Sequence, residues 1–134
     1  MIVVDTNVVA YLLIDGDATP AASRIRRLDS NWVAPFLWRS EMRNLLMLYV
    51  RRGITTIEDA KIIMNKALEK VIDPELEIDS NKVLDLAHGS GCTAYDCEFV
   101  SLAQTLGAKL VTSDKKILGE FPDIAVSMEA FATE

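Results

Sequence analysis

Met1-Ile-Val-Val-Asp5-Thr6-Asn7-Val8-Val9-Ala10-Tyr11-Leu12-Leu13-Ile14 is the stretch that decides how the chain is built. Met1 to Asp5 is a short β-branched apolar run ending at a carboxylate, the pattern of a strand buried in a parallel sheet. Thr6 to Ile14 stays apolar without a breaker and is expected as a helix. Asp15-Gly16-Asp17 turns the chain, and Pro20 suits the first turn of a second helix running to about Leu28.

The same alternation continues outward. Asn31 to Pro35 reads as a second strand, and Phe36 to Arg52 as a helix carrying Leu37, Trp38, Met42, Leu45, Leu46 and Tyr49 at helical spacing, closed by Gly53. Thr55 to Val71 is a further helix with a threonine cap and Glu58 in its first turn. Beyond Pro74, Leu76 and Ile78 suggest a short edge or entry segment, and Asp79 or Ser80 caps a helix to about His88. Gly89-Ser90-Gly91 reads as a loop. Thr93 to Leu106 is a helix stopped by Gly107, Lys109 to Thr112 a strand, and a brief helix follows Asp114. Ile124 to Val126 reads as a last strand before a short terminal helix. Short apolar strands separated by helices predict a three-layer α/β/α domain spanning residues 1–134, with a central, mainly parallel sheet.

Bulk properties narrow the function. The 134 residues are half apolar and a quarter charged, ordinary for a globular domain large enough to need no disulfide. The longest apolar run, Val8 to Ile14, is far too short for a membrane span, and nothing reads as a signal peptide, so a cytoplasmic protein is expected. Cys92 and Cys97 are then expected as buried free thiols; with His88 the only histidine, a zinc site is disfavoured. A net charge of −6 argues against a surface that wraps nucleic acid, but an enzyme that stores carboxylates in one pocket is acidic by construction.

Four acids draw attention. Asp5 and Asp114 stand where ligands bind in such folds, at or just past the carboxyl ends of strands, although each also suits a helix cap. Asp96 completes Thr93-x-x-Asp96, a capping box, yet it heads an inward stripe of Phe99, Val100 and Ala103. Glu41 is no cap. It lies inside a helix, on one face with Leu37, Leu45 and Leu48. An unpaired charge there costs several kcal/mol, so Glu41 is solvated in a cleft, protonated, paired with a distant arginine, or bound to a cation.

These pieces together resemble the PIN-domain family, in particular its VapC-type toxin branch. The opening strand followed by Asp5-Thr6-Asn7 is similar to the family's D-T-N. Ser40-Glu41-Met42-Arg43-Asn44-Leu45 resembles its S-E-x-x-N-L helix, Tyr95-Asp96 with Leu102-Ala103 its Y-D…L-A helix, and Leu110-Val111-Thr112-Ser113-Asp114 its L-V-T-x-D strand end. Cys97 and Phe99 depart from the usual residues without removing a carboxylate. The resemblance implies cleavage of single-stranded RNA with Mg²⁺ or Mn²⁺, a homodimer, and restraint by a VapB-type antitoxin.

The chemistry suits the implied ion, since hard divalent cations prefer oxygen ligands. Asp5 and Asp96 are assigned as direct ligands, with Glu41 and Asp114 completing the set directly or through water. Thr6 is a candidate donor behind them, Asn7 a candidate support for Asp5, and Thr112 one for Asp114 or a water. Arg39 and Arg43, one turn apart on the helix that carries Glu41 but off its face, are the favoured RNA contacts. An aspartyl-phosphate phosphatase of the haloacid-dehalogenase kind also opens with a strand ending in Asp. Its second acid two residues on is absent, because Asn7 stands there. The other rival is a catalytically silent PIN-like scaffold that binds a partner.

Overall fold

The computed structural model describes residues 1–134. Its elements are β1 (Ile2–Val4), α1 (Thr6–Leu13), α2 (Thr19–Leu28), β2 (Trp32–Val33), α3 (Leu37–Arg51), α4 (Ile57–Lys70), β3 (Val71–Ile72), α5 (Ser80–Ser90), α6 (Ala94–Leu106), β4 (Leu110–Thr112), α7 (Lys115–Glu120), β5 (Ala125–Ser127) and α8 (Met128–Ala132). The sheet has the order β3-β2-β1-β4-β5. Every pairing is parallel, so the sheet is entirely rather than mainly parallel.

Right-handed crossovers dictate the layers. The chain steps one way from β1 through β2 to β3, which puts α1 to α4 on one face, where they pack on one another and α2 receives α8. It then returns past β1 to β4, placing α5 and α6 on the opposite face, with α6 against β1 and β4. Buried on both faces, β1 and β4 have to be apolar throughout, and Ile2, Val3, Val4, Leu110 and Val111 are all at most 3 % exposed. Burial of each such side chain stabilises the fold by about 1.5–3 kcal/mol. Trp32 and Trp38 are both core residues; the Trp32 indole N–H donates to the Asp29 carbonyl at 2.8 Å.

Two local expectations are corrected. The edge strand is not at Leu76–Ile78. It forms at Val71–Ile72, directly after α4, where Val71 turns extended and aligns with Trp32. The β-branched pair at the helix end takes the edge first, and Leu76 and Ile78 only pack on the core from a loop. Nor do Gly89 and Ser90 form a loop, because α5 runs through them. A helical glycine costs about 1 kcal/mol. Here the Ser90 hydroxyl donates to the Leu86 carbonyl at 2.7 Å, and Gly91 closes the helix at φ 73°.

The strand order reverses between β1 and β4. Each sends its chain to a different side, which leaves a crevice beyond their carboxyl ends. The register Val4↔Val111 sets Asp5 level with Thr112 at that crevice.

Candidate active site

At the end of β1, Asp5 caps α1: its Oδ1 accepts from the Val8 N–H at 3.0 Å. Its Oδ2 accepts from the Thr112 hydroxyl and from the Ser113 N–H at 3.3 Å. Thr112, fully buried, also accepts the Asp114 N–H at 3.0 Å, so one hydroxyl couples both strand-end aspartates. Asp114 uses a single oxygen, Oδ1, to cap α7 through the N–H groups of Lys116 and Ile117. Capping therefore leaves its other oxygen uncommitted.

Asp96 sits at the third position of α6. Its N–H donates to the Thr93 hydroxyl at 3.0 Å, which is half of the expected capping box. Its carboxylate lines the crevice instead. Glu41 approaches from α3 and accepts the hydroxyl of the buried Thr6 at 2.8 Å. Asp5, Glu41, Asp96 and Asp114 thus border one cavity of about 80 Å³, walled by Phe99 and Ile117. That is room for about two or three waters, or for a cation with part of its hydration shell.

Electrostatics reports the same convergence. Burial pushes the Asp5 carboxyl above its ordinary range, against the donors Thr112, Val8 and Ser113, and Asp114 adds repulsion. Burial likewise raises Glu41, against the Thr6 hydroxyl, with Asp96, Asp5 and Glu98 repelling it further. Such a pocket stabilises added positive charge. Its donors are all oxygens, which fits Mg²⁺ or Mn²⁺ and disfavours softer-ligand metals. No three of these side chains stand in ready-made coordinating geometry, so the fit lies in donor type and placement rather than in a preformed cage.

The supporting residues take distinct places around the cavity. Thr6 engages Glu41. Asn7 borders the cavity, but Asp5 is held by the Val8 N–H rather than by the Asn7 amide. Arg39 is not at the cleft. It is paired with Asp73 and lies 5.6 Å from the centre of the Phe36 ring, tying α3 to the loop after β3. Arg43 is exposed. Sequence reasoning missed Glu98, a half-buried acid raised by burial, which lies near enough to repel Glu41. It also missed the Ser113 N–H, whose role depends on the β1–β4 register and leaves no mark in composition.

A parallel sheet with carboxylates gathered at its switch point defines a class of α/β domain built around an acidic crevice. The chain belongs to the PIN domain family, whose model matches residues 2–125. It is 28 % identical over 126 residues to Ribonuclease VapC3 of Pyrobaculum aerophilum, covering 90 % of this chain and 95 % of that protein. The crystal structure of PAE2754 from Pyrobaculum aerophilum superposes with a TM-score of 0.78 at 23 % identity, over 98 % of this chain and 92 % of that one. A toxin–antitoxin complex from Klebsiella pneumoniae gives 0.70 at 14 % identity, over 96 % and 98 %. At such identities the structural likeness concerns the fold.

Proposed function

We propose that the chain is a Mg²⁺- or Mn²⁺-dependent endoribonuclease that cleaves single-stranded RNA, acting as the cytoplasmic toxin of a VapBC-type pair. The observation that carries the reading is the meeting of Asp5, Glu41, Asp96 and Asp114 around one small cavity. Membership of the PIN family and similarity to a protein named as a ribonuclease support it.

In this mechanism Asp5 and Asp96 would hold the cation directly, and Glu41 and Asp114 would complete its surroundings. When bound, the ion would neutralise charge on the scissile phosphate and lower the pKa of a water it holds. Thr6 and Thr112 keep Glu41 and Asp5 aimed into the cavity, since a carboxylate fixed by a hydroxyl does not have to be reoriented during reaction. Phe99 and Ile117 exclude bulk water from one side, which strengthens each electrostatic interaction within. Glu41 would act on this cation through a water or by orienting the attacking hydroxide, its carboxylate steadied by the Thr6 hydroxyl.

Apolar surface supports the partner half of the proposal, a homodimer restrained by a VapB-type antitoxin. Ile54, Ile57 and Ile62 stand 60 %, 40 % and 53 % exposed. Two grooves of about 350 and 380 Å³ share Ile14, Asp15 and Ile54. Apolar clefts of this kind are where a partner's helix docks. No helix is long and apolar enough to cross a membrane.

The test is cleavage of unstructured RNA by antitoxin-free protein, with Mn²⁺, Mg²⁺ or EDTA, for the parent and for Asp5→Ala and Asp96→Ala. Metal-dependent cleavage lost in both variants is expected. Undiminished cleavage in EDTA, or in both variants, rejects the mechanism. Failure of well-folded protein to cut any nucleic acid favours the scaffold reading.

A further inference from the structure

Beside the acidic cavity lies a second one of about 250 Å³, lined by Thr6, Asn7, Glu41, Asn44, Leu45 and Leu48. Thr6, Asn7 and Glu41 border both, so the two spaces adjoin. The wall from α3 has a regular cause. Glu41, Asn44, Leu45 and Leu48 occupy positions i, i+3, i+4 and i+7, which share one helical face. Along that face the chemistry changes from acid to amide to aliphatic.

Asn44 has no structural reason to be there. It lies in the middle of α3, away from either cap, and asparagine is a poorer helix former than alanine by about 0.7 kcal/mol. It is exposed, as is Asn7 across the cavity. The hydrogen bonds around them join other groups, Thr6 to Glu41 and the Val8 N–H to Asp5. Leu48, at 39 % exposure, keeps an aliphatic surface toward water beside them. Two unengaged amides over an aliphatic floor suit a flat heteroaromatic ring with donors and acceptors at its edge. The volume is below the range of drug-sized pockets, about 300–1,000 Å³, and suits one ring system.

We infer that this second cavity is a nucleobase subsite, in which Asn7 and Asn44 hydrogen-bond the edge of an unpaired adenine, seated on Leu45 and Leu48, next to the phosphate to be cut. This rests on the nuclease reading and adds a specificity determinant to it. Sequence-selective recognition of RNA acts on unpaired bases through their exposed edges. A side-chain amide offers one donor and one acceptor, the complement of adenine N7 and N6. Uracil presents a different edge. The shared wall sets the base beside the acidic cavity.

The experiment uses the full chain with two oligouridine strands, one carrying a central adenosine and the other an abasic residue at that position. Binding is measured by fluorescence anisotropy on 2′-O-methyl versions with Mn²⁺, and cleavage on the plain RNAs. The parent is expected to bind and cleave the adenosine strand about tenfold better, within what one amide–base pair discriminates. Asn44→Ala and Leu48→Ser should each reduce that ratio below about threefold while keeping the parent's Mn²⁺-induced rise in melting temperature. Alanine favours the helix, so Asn44→Ala is a fold-safe test. A parent ratio near one, with cleavage intact, overturns the subsite and leaves the nuclease standing. So does a tenfold ratio unchanged in both variants. If no strand is bound or cleaved, both readings fall together.

Discussion

Replacing Glu41 by glutamine exchanges one carboxylate oxygen for an amide nitrogen at constant volume and keeps an acceptor for the Thr6 hydroxyl. The consequences for stability have opposite signs with and without metal. Burial, and then the charges of Asp96, Asp5 and Glu98, raise the Glu41 carboxyl above its ordinary range. A carboxyl that binds its proton more tightly when folded contributes its full stability below the unfolded value of about 4.3, and loses it as pH rises through the folded value. The parent therefore carries a penalty at pH 7 that the glutamine lacks. Without metal, Glu41→Gln should melt at or above the parent at pH 7, and any advantage should shrink toward pH 4. With metal the order reverses. At a hundredfold excess over Kd, a ligand stabilises the folded state by about 2.7 kcal/mol. Unfolding entropy of about 2.1 cal/mol/K per residue gives about 0.28 kcal/mol/K over 134 residues, so Mn²⁺ should raise the parent's Tm by about 10 °C. A tenfold loss of affinity on removing one anionic donor reduces that rise to about 5 °C at the same Mn²⁺ concentration. Calorimetry in EDTA and in MnCl₂, at both pH values, reads all eight melting points, four for each protein. The reasoning fails if Glu41→Gln melts below the parent at pH 7 in EDTA, or if it keeps the whole Mn²⁺ shift.

Other residues give sharper local tests. Thr112→Val removes a buried hydroxyl that Asp5 and Asp114 both use. It should cost about 1.5–3 kcal/mol, about 5–11 °C in Tm, and slow cleavage; a change under about 2 °C on calorimetry would show the hydroxyl to be dispensable. Arg39→Ala breaks the contact with Asp73 and should lower Tm, whereas Arg43→Ala should leave Tm alone. Only Arg43→Ala should flatten the salt dependence of RNA binding, by about 0.7 in the log–log slope for one phosphate contact. Cys92 and Cys97 are buried and free, and burial raises the Cys97 thiol. A thiol reagent at neutral pH should therefore label neither in the native protein and both after unfolding in guanidinium, as mass spectrometry would show.

Much of this was visible in the linear chain because local physics writes itself into local pattern. A β-branched run ending at Asp5 and a short one ending at Thr112 can only be buried strands, and parallel strands open a crevice past their carboxyl ends. Glu41 announced itself through conflict, an acid on an apolar face that has to meet something. The capping pattern marked Asp96 as the head of α6, while its inward stripe put it on the side that borders the cavity.

What the chain could not state is which faces meet. Helical spacing put Arg39 beside Glu41 in sequence but not which loop it would reach, and packing gave it to Asp73. The same holds for Thr6, whose pattern marked it as a donor but not which acid, 35 residues away, its hydroxyl would reach. It also holds for the edge strand, formed where Val71 found Trp32 and not at Leu76–Ile78. Element type and inward face follow from periodicity over a few residues. Partners across the fold follow from register and crossover handedness, which are set only when the layers pack. The chain alone thus named the acids, and the tertiary structure chose the hydroxyls, the salt-bridge partner and the adjoining cavity that surround them.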